Sequence, residues 1–393
     1  MPAILLVTER FPPDLGGVAR SASRTAACLA RLGCEVHVLA WTRQLPPGQL
    51  QSLAPQPMGN GSVTLHRLGL FGNVDFSLQQ TLNVLEFLHK RHGFAGVWGH
   101  YLFPAGFLAV LIAETLRIPA TVSARGNDVD LLMFPPGDFA RLMWTLERAK
   151  VVTAVSRELA AKMDVLVGHD LGVEVTGNTV DSETFSPGPA EPELRAQLGI
   201  APDEAVLGFC GELRQKKGLP FLLSGLEHVR SQRPACLLVI GEVRAREESL
   251  LSSFQADAPE SARRIVVTGH LEDPREVARH LRLCDVFLQP SVWDGLPNAV
   301  LEAMACQKVV IASDAGGIPE AIRHGVEGFI VPRAELHRLG EGILEILNLP
   351  AAERTRIGEA ARARMLRDFH GEAEEKALRV VLERLSIHVS HRH

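Results

Sequence analysis

Short runs of consecutive aliphatic residues recur along this chain, and each is followed by a stretch with helical spacing of apolar positions. Ile4-Leu5-Leu6-Val7 is the first such run. It is unbroken rather than alternating, as expected of a strand covered on both faces. The prolines and glycines of residues 11–17 interrupt either period and read as a loop. Residues 18–32 read as a helix ending at Gly33, a residue suited to the position after a helix. Strand-like runs follow at 36–39, 95–98, 120–123 and 151–155, with a helical stretch at 105–116. This rhythm predicts a parallel sheet with helices on both faces.

Pro187, Gly188, Pro189 and Pro192 then mark a connection. After it the rhythm restarts, with strands expected at 205–210, 236–240, 265–268, 286–288 and 309–312. Helices are expected at 219–230, 274–283, 299–305 and 335–347. The pattern predicts an α/β chain of two doubly wound Rossmann-like parallel sheets in series. The expected plan is a first domain over 1–182, a linker over 183–192, a second domain over 193–366, and a carboxyl-terminal helix and tail over 367–393. Residues 351–385 are rich in Ala, Arg, Glu and Leu and read as helical. The histidines of residues 388–393 are read as a frayed terminus rather than a metal site.

The 393 residues and the 46% hydrophobic content suffice for a core in each domain. A net charge of -5 excludes general affinity for nucleic acid. The six cysteines form no C-x-x-C pair and mostly lie in apolar runs, so they are read as reduced and buried. Neither a signal peptide nor a membrane-spanning run is evident, and a cytoplasmic location is expected.

Two sheets of this kind bind ligands beyond the carboxyl ends of their strands. After the strand ending at Cys210 come Gly211, Glu212, Leu213, Arg214, Gln215, Lys216, Lys217 and Gly218, then a helix. Glycines that admit close approach, with cations near a helix start, suit a diphosphate, although a solvated basic turn has the same letters. After the strand ending at Leu288 comes Asp294 in a loop, then Glu302 within a helix among apolar neighbours. Carboxylates suit sugar and ribose hydroxyls because each accepts two bonds at once. Asp294 could equally be a helix-start acid and Glu302 a surface charge.

Residues 294–306, Asp-Gly-Leu-Pro-Asn-Ala-Val-Leu-Glu-Ala-Met-Ala-Cys, resemble the E-x7-E motif of the retaining GT-B glycosyltransferases of family 4. Gly211 to Gly218 resembles that family's phosphate segment, residues 175–181 its interdomain segment, and residues 309–320 its strand and loop. The resemblance implies a GT-B fold with two domains facing a central cleft. It implies that Lys217 binds the donor diphosphate with Arg214, that Glu302 holds the donor ribose, and that Asp294 contacts the transferred sugar. Gly295, Leu296, Pro297 and Asn298 match the turn whose backbone approaches sugar and phosphate. Gly16 and Gly17 match the amino-terminal glycine loop, and His100 a histidine near the donor sugar. Arg125, Asn127 and Asp128 resemble a stretch that touches acceptor or donor, and an Asx-type turn is the alternative reading.

The implied activity is retaining transfer of a hexosyl group from a nucleotide-diphosphate sugar, UDP before GDP, to a sugar, lipid-linked or small-molecule acceptor. The implied setting is polysaccharide or glycoconjugate synthesis. No metal and no cofactor beyond that co-substrate is expected. Asp128-Val129-Asp130 has the letters of a D-x-D metal motif but lies in the acceptor-like stretch. Arg20, Arg24 and Arg31 share a broad helix face and allow peripheral contact with the membrane, where lipid-linked acceptors reside. The oligomeric state is not legible. Three departures from the family stand out: Glu212 replaces an arginine, Asp294 a glutamate, and Leu296-Pro297 a Phe-Gly pair. Glu212 and Asp294 favour an alternative, a catalytically weak nucleotide-sugar binder on the same fold. A dinucleotide oxidoreductase is disfavoured because no strand is followed by G-x-G-x-x-G.

Overall fold

The computed structural model describes residues 1–14 and 16–389, the Asn127 side chain apart; the tail histidines His391 and His393 lie outside the described residues. The chain divides into two units, residues 1–178 with 372–393, and residues 179–371.

The first unit is built on β1 (Ala3–Thr8), β2 (Glu35–Thr42), β3 (Leu50–Ser52), β4 (Gln56–Met58), β5 (Gly61–Gly69), β6 (Gly96–His100), β7 (Ala120–Ala124), β8 (Val151–Ala154) and β9 (Glu174–Val175). Their order is β3-β5-β2-β1-β6-β7-β8-β9, with β4 also on β5. The strands are parallel apart from β3 and β4, which pair antiparallel with β5. The unbroken aliphatic run of β1 has a direct cause: Leu5 and Val7 enter one core while Ile4 and Leu6 enter another on the opposite face. The order reverses between β1 and β6, where a doubly wound sheet offers its ligand crevice.

The helix Gly17–Arg31 lies on one face, and Gly33 follows it with φ of 98°. The last helix, Gly371–Arg384, packs on that same face through Leu378, Val381 and Leu382. Arg24 Nε meets Glu374 at 2.8 Å and Arg31 Nε meets Glu375 at 2.8 Å. Two of the three arginines read as a solvent- or membrane-facing stripe therefore tie the last helix to the first. Among the described residues no helix is long and apolar enough to cross a membrane.

The second unit carries β10 (Ala205–Cys210), β11 (Ala235–Ile240), β12 (Ile265–Val267), β13 (Val286–Gln289), β14 (Val310–Ser313) and β15 (Phe329–Val331). Every pairing is parallel, in the order β12-β11-β10-β13-β14-β15. Alternation along β11 again serves two cores, Cys236, Leu238 and Ile240 on one face and Leu237 and Val239 on the other. The switch in strand order falls between β10 and β13. The helical composition of residues 351–385 resolves into two helices, Ala351–Asp368 and Gly371–Arg384, which belong to different units. All six cysteines are free, and burial pushes Cys28, Cys34, Cys236 and Cys284 up to about 12.

Candidate functional site

In the second unit the loops after β10, β13 and β14 are locked together at the switch point. The turn Gln215–Lys217 follows β10, and Gly218 (φ 87°) opens the helix Leu219–Arg230. A Cβ at Gly218 would lie 2.0 Å from the Pro290 carbonyl oxygen, so only glycine lets the two loops approach this closely. Val292 N donates to Lys216 O at 2.8 Å. From β14, Ser313 Oγ donates to Ser291 O at 2.6 Å, and Gly317 N donates to Gly295 O at 2.7 Å. Gly316 (φ 56°) would bring a Cβ within 2.2 Å of the Asp294 and Gly295 carbonyl oxygens.

This lattice brings Lys217 and Asp294 into direct contact, Nζ to Oδ2. Ser291 Oγ donates to the same carboxylate at 3.1 Å, and Gly295 N donates to Oδ1 at 3.1 Å. Burial pushes the Asp294 carboxyl up, but the Lys217 and Lys216 charges and the bonds from Lys217 and Ser291 outweigh it. The group rests below the usual carboxylate range. Glu302 lies in the helix Asn298–Ala305 and is only 4% exposed, so it is not the surface charge that the local letters allow. Leu296 is buried in the core, so the turn it occupies can offer a ligand its backbone rather than that side chain.

One relationship escaped the sequence reading. Gly211-Glu212-Leu213-Arg214 and Gly241-Glu242-Val243-Arg244 stand in register on neighbouring strands, because Cys210 pairs with Ile240 and Leu213 bridges to Val243. Glu212 consequently lies between two arginines. Arg214 Nε is 3.5 Å from Oε2, and Arg244 Nε is 3.3 Å from Oε1. The acid at the position where the family has an arginine is thus neutralised by its own neighbours. The repeated G-E-hydrophobic-R letters were the available signal. Buried Glu247 adds support: desolvation raises its pKa, but bonds from the Gln215 side chain and backbone and from Arg246 hold it below the ordinary value. Through Gln215 it braces the turn that presents Lys217.

The first unit holds a second set of candidates around its own switch point. Gly16 (φ 114°) and Gly17 stand in the loop after β1, and a Cβ at either would meet nothing within 4 Å. Packing inside this unit therefore does not demand glycine at 17. His100 ends β6, fully buried, with Nε2 2.8 Å from Ser21 Oγ. Its Nδ1 finds no hydrogen-bond partner among the described residues. Burial, then the charges of Arg125 and Arg24, hold the imidazole well below its usual range, hence neutral. Arg125 and Arg24 both donate to Asn178 Oδ1, at 2.7 and 2.8 Å.

Asp128 is engaged by backbone. It accepts from Leu102 N at 3.0 Å, Arg125 N at 3.0 Å and Gly126 N at 2.8 Å. Burial raises it to about 6 despite those bonds. Asp130 pairs with Lys162, so the D-x-D letters are spent inside the fold. Asn127 begins the helix Asn127–Leu132, and its side chain lies outside the described residues. Glu9, just past β1, was not singled out from the sequence. Burial pushes it to about 7, with Arg10 opposing and Asp128 reinforcing the rise.

Comparison with known proteins places the chain among glycosyltransferases. Residues 16–179 match the family described as glycosyl transferase 4-like domain, and residues 204–349 match glycosyl transferases group 1. N-acetyl-alpha-D-glucosaminyl L-malate synthase of Bacillus anthracis is 24% identical over 371 residues, 92% of each chain. Alpha-maltose-1-phosphate synthase of Mycobacterium tuberculosis is 26% identical over 389 residues, 93% of this chain and 95% of that one. Among solved structures, HepE of Anabaena in complex with UDP and glucose superposes with a TM-score of 0.78 at 18% identity, covering 98% of this chain and 100% of that one. The fold is GT-B.

Proposed function

From the match of residues 204–349 to glycosyl transferases group 1 and of residues 16–179 to the glycosyl transferase 4-like domain, we propose that this chain transfers a hexosyl group, with retention, from a nucleotide-diphosphate sugar. The observation that carries the reading is the contact of Lys217 with Asp294 at the switch point of the second sheet, with Arg214, Lys216 and Arg244 around it and Glu302 buried in the adjoining helix. Lys217 and Arg214 offer the paired cations that a diphosphate requires.

The donor's ribose is assigned to Glu302, its diphosphate to Lys217 and Arg214, and its sugar to Asp294 and the backbone of Gly295, Leu296, Pro297 and Asn298, with Gly211 admitting the phosphates. In the reaction the bond from the anomeric carbon to the phosphate oxygen breaks. The acceptor oxygen bonds that carbon on the same face, and its proton passes to the departing phosphate. Lys217 and Arg214 stabilise the charge that gathers on the leaving group, which is where preformed cations accelerate such a step. The transfer is assigned no metal, because side-chain cations supply the charge. UDP is the favoured base, supported by the UDP and glucose in HepE. Residues 1–182 are assigned the acceptor, with Arg125, Asn127 and Asp128 as the candidates, while Gly16 and Gly17 are assigned to the donor and His100 to catalysis near the donor sugar. Asp128 acts there by shaping the Arg125 loop, since its oxygens are taken by backbone N–H groups.

A panel of nucleotide sugars tests this by thermal shift, with Lys217→Ala and Glu302→Ala as controls. A donor at about 100 times its dissociation constant adds about 2.7 kcal/mol to wild type. Failure of every donor and free nucleotide removes the reading. A donor that binds without turnover selects the alternative of a binding protein, which the Asp294–Lys217 and Glu212–arginine pairs favour by occupying one another.

A further inference from the structure

Inside the first unit three histidines meet. His37 is the third residue of β2, His66 lies on β5, and His92 closes the helix Val74–His92. One ring nitrogen from each lies within 4.8 Å of the others. His37 Nδ1 is 2.9 Å from His66 Nε2, and the His37 and His92 ring centroids are 4.1 Å apart. His37 and His66 are buried, and His92 is partly so.

The remaining nitrogens of the two buried rings are also committed. His37 Nε2 is 3.2 Å from Glu35 Oε1, and His66 Nδ1 is 2.7 Å from Ser52 Oγ. Each ring thus turns one nitrogen to a shared centre and ties the other to an oxygen. Metal-ligating histidines are oriented in this way, the far N–H being given to a carboxylate or another oxygen. A histidine pair that served only to hydrogen-bond would need no third imidazole at the same point. Phe94 walls the cluster, its ring centroid 5.3 Å from that of His37 and 6.0 Å from that of His92.

We propose that His37, His66 and His92 bind one divalent transition-metal ion of the zinc class, with Glu35 and Ser52 as the oxygen partners that orient the rings. Imidazole suits such ions, and three histidines are a donor set that zinc accepts. The ion pins the end of the helix Val74–His92 to β2 and β5. It stands apart from the transfer chemistry: His92 lies just before β6 begins, whereas Gly16 follows the carboxyl end of β1 and His100 ends β6. Its role is therefore to hold the fold.

The test uses the chain with His388→Ala, His391→Ala and His393→Ala, so that tail histidines do not compete, stripped by a chelator and titrated with cobalt(II) and then zinc(II). The expected result is saturation at one equivalent, visible cobalt absorption displaced by zinc, and a raised unfolding temperature. His92→Asn, at a partly buried helix end, is expected to remove the site while far-ultraviolet circular dichroism stays unchanged. Glu35→Gln is expected to weaken affinity about 10- to 100-fold with the cobalt spectrum retained, the effect of losing an orienting partner. The proposal is overturned by the absence of saturable binding at micromolar metal, or by binding that His92→Asn leaves intact.

Discussion

Lys217 and Asp294, 77 residues apart in the chain, share one ion pair across the switch point of the second sheet. Each is the other's counter-charge, and each is assigned a different part of the donor. Lys217→Ala is expected to lower turnover about 10²- to 10³-fold, the scale of losing one donor to developing charge. It also strands a carboxylate that is 12% exposed, lowering stability by about 1–3 kcal/mol. Adding Asp294→Asn should return the stability and leave the rate low. Urea midpoints and single-turnover rates separate the two effects. Recovery of the rate along with the stability would show that Lys217 acts only as a structural counter-ion.

Glu302 and Asp294 should be distinguishable by ligand. Glu302→Gln is expected to weaken free nucleoside diphosphate and nucleotide sugar by the same factor, about 10- to 100-fold, or roughly 1.4–2.7 kcal/mol. Asp294→Asn should weaken the nucleotide sugar alone. Calorimetric titration of both ligands into both variants decides this. Equal losses in the two variants would void the division of roles.

Arg244 is predicted to matter to a donor that the family motif does not connect with it. Its removal leaves Glu212 facing the diphosphate with Arg214 as the remaining partner of that pairing. Arg244→Ala should raise the donor KM about tenfold, and Glu212→Gln in the same chain should bring it back. An unchanged KM in Arg244→Ala would mean that the glutamate is too far from the phosphates to count.

Glu9 should impose a pH dependence on stability. The folded chain keeps its proton up to about 7 because of burial, against 4.5 ordinarily. Between those values the folded state binds more protons than the unfolded one, so stability falls as pH rises through the window and then levels. Asp128, raised to about 6 by burial, adds a fall in the same direction at lower pH. Glu9→Gln should flatten the curve above pH 5 and raise stability at pH 8 by on the order of 2 kcal/mol. Denaturant midpoints at pH 5 and pH 8 that fall equally in both proteins would assign the effect elsewhere.

Both sheets were legible because a strand buried on two faces writes its burial locally, as in the aliphatic letters of β1 and β11. The loops proposed for the donor could be singled out for a related reason: Gly211 to Gly218 and Asp294 to Glu302 are contiguous segments that need no fold to be assumed. The region of residues 44–62 was not legible. β3 and β4 have three residues each, too few to show a period, and they exist by pairing with β5. The backbone bonds of Asp128 were legible only in part: those from Arg125 and Gly126 are local, whereas the N–H group of Leu102 comes to it from 26 residues away.

Local letters, then, carried the architecture and the cations and carboxylates of the proposed donor site, since propensity and hydrophobic period act over a few residues. Partnership belonged to the tertiary structure. Glu212 meets Arg244 through the register of β10 on β11, Lys217 meets Asp294 through the neighbouring of β10 and β13, and His37 meets His66 and His92 through two strands and a helix end. Charge neutralisation, desolvation and ligand geometry all depend on distance in space, and strand register is what converts separations of 29 to 77 residues in sequence into contacts.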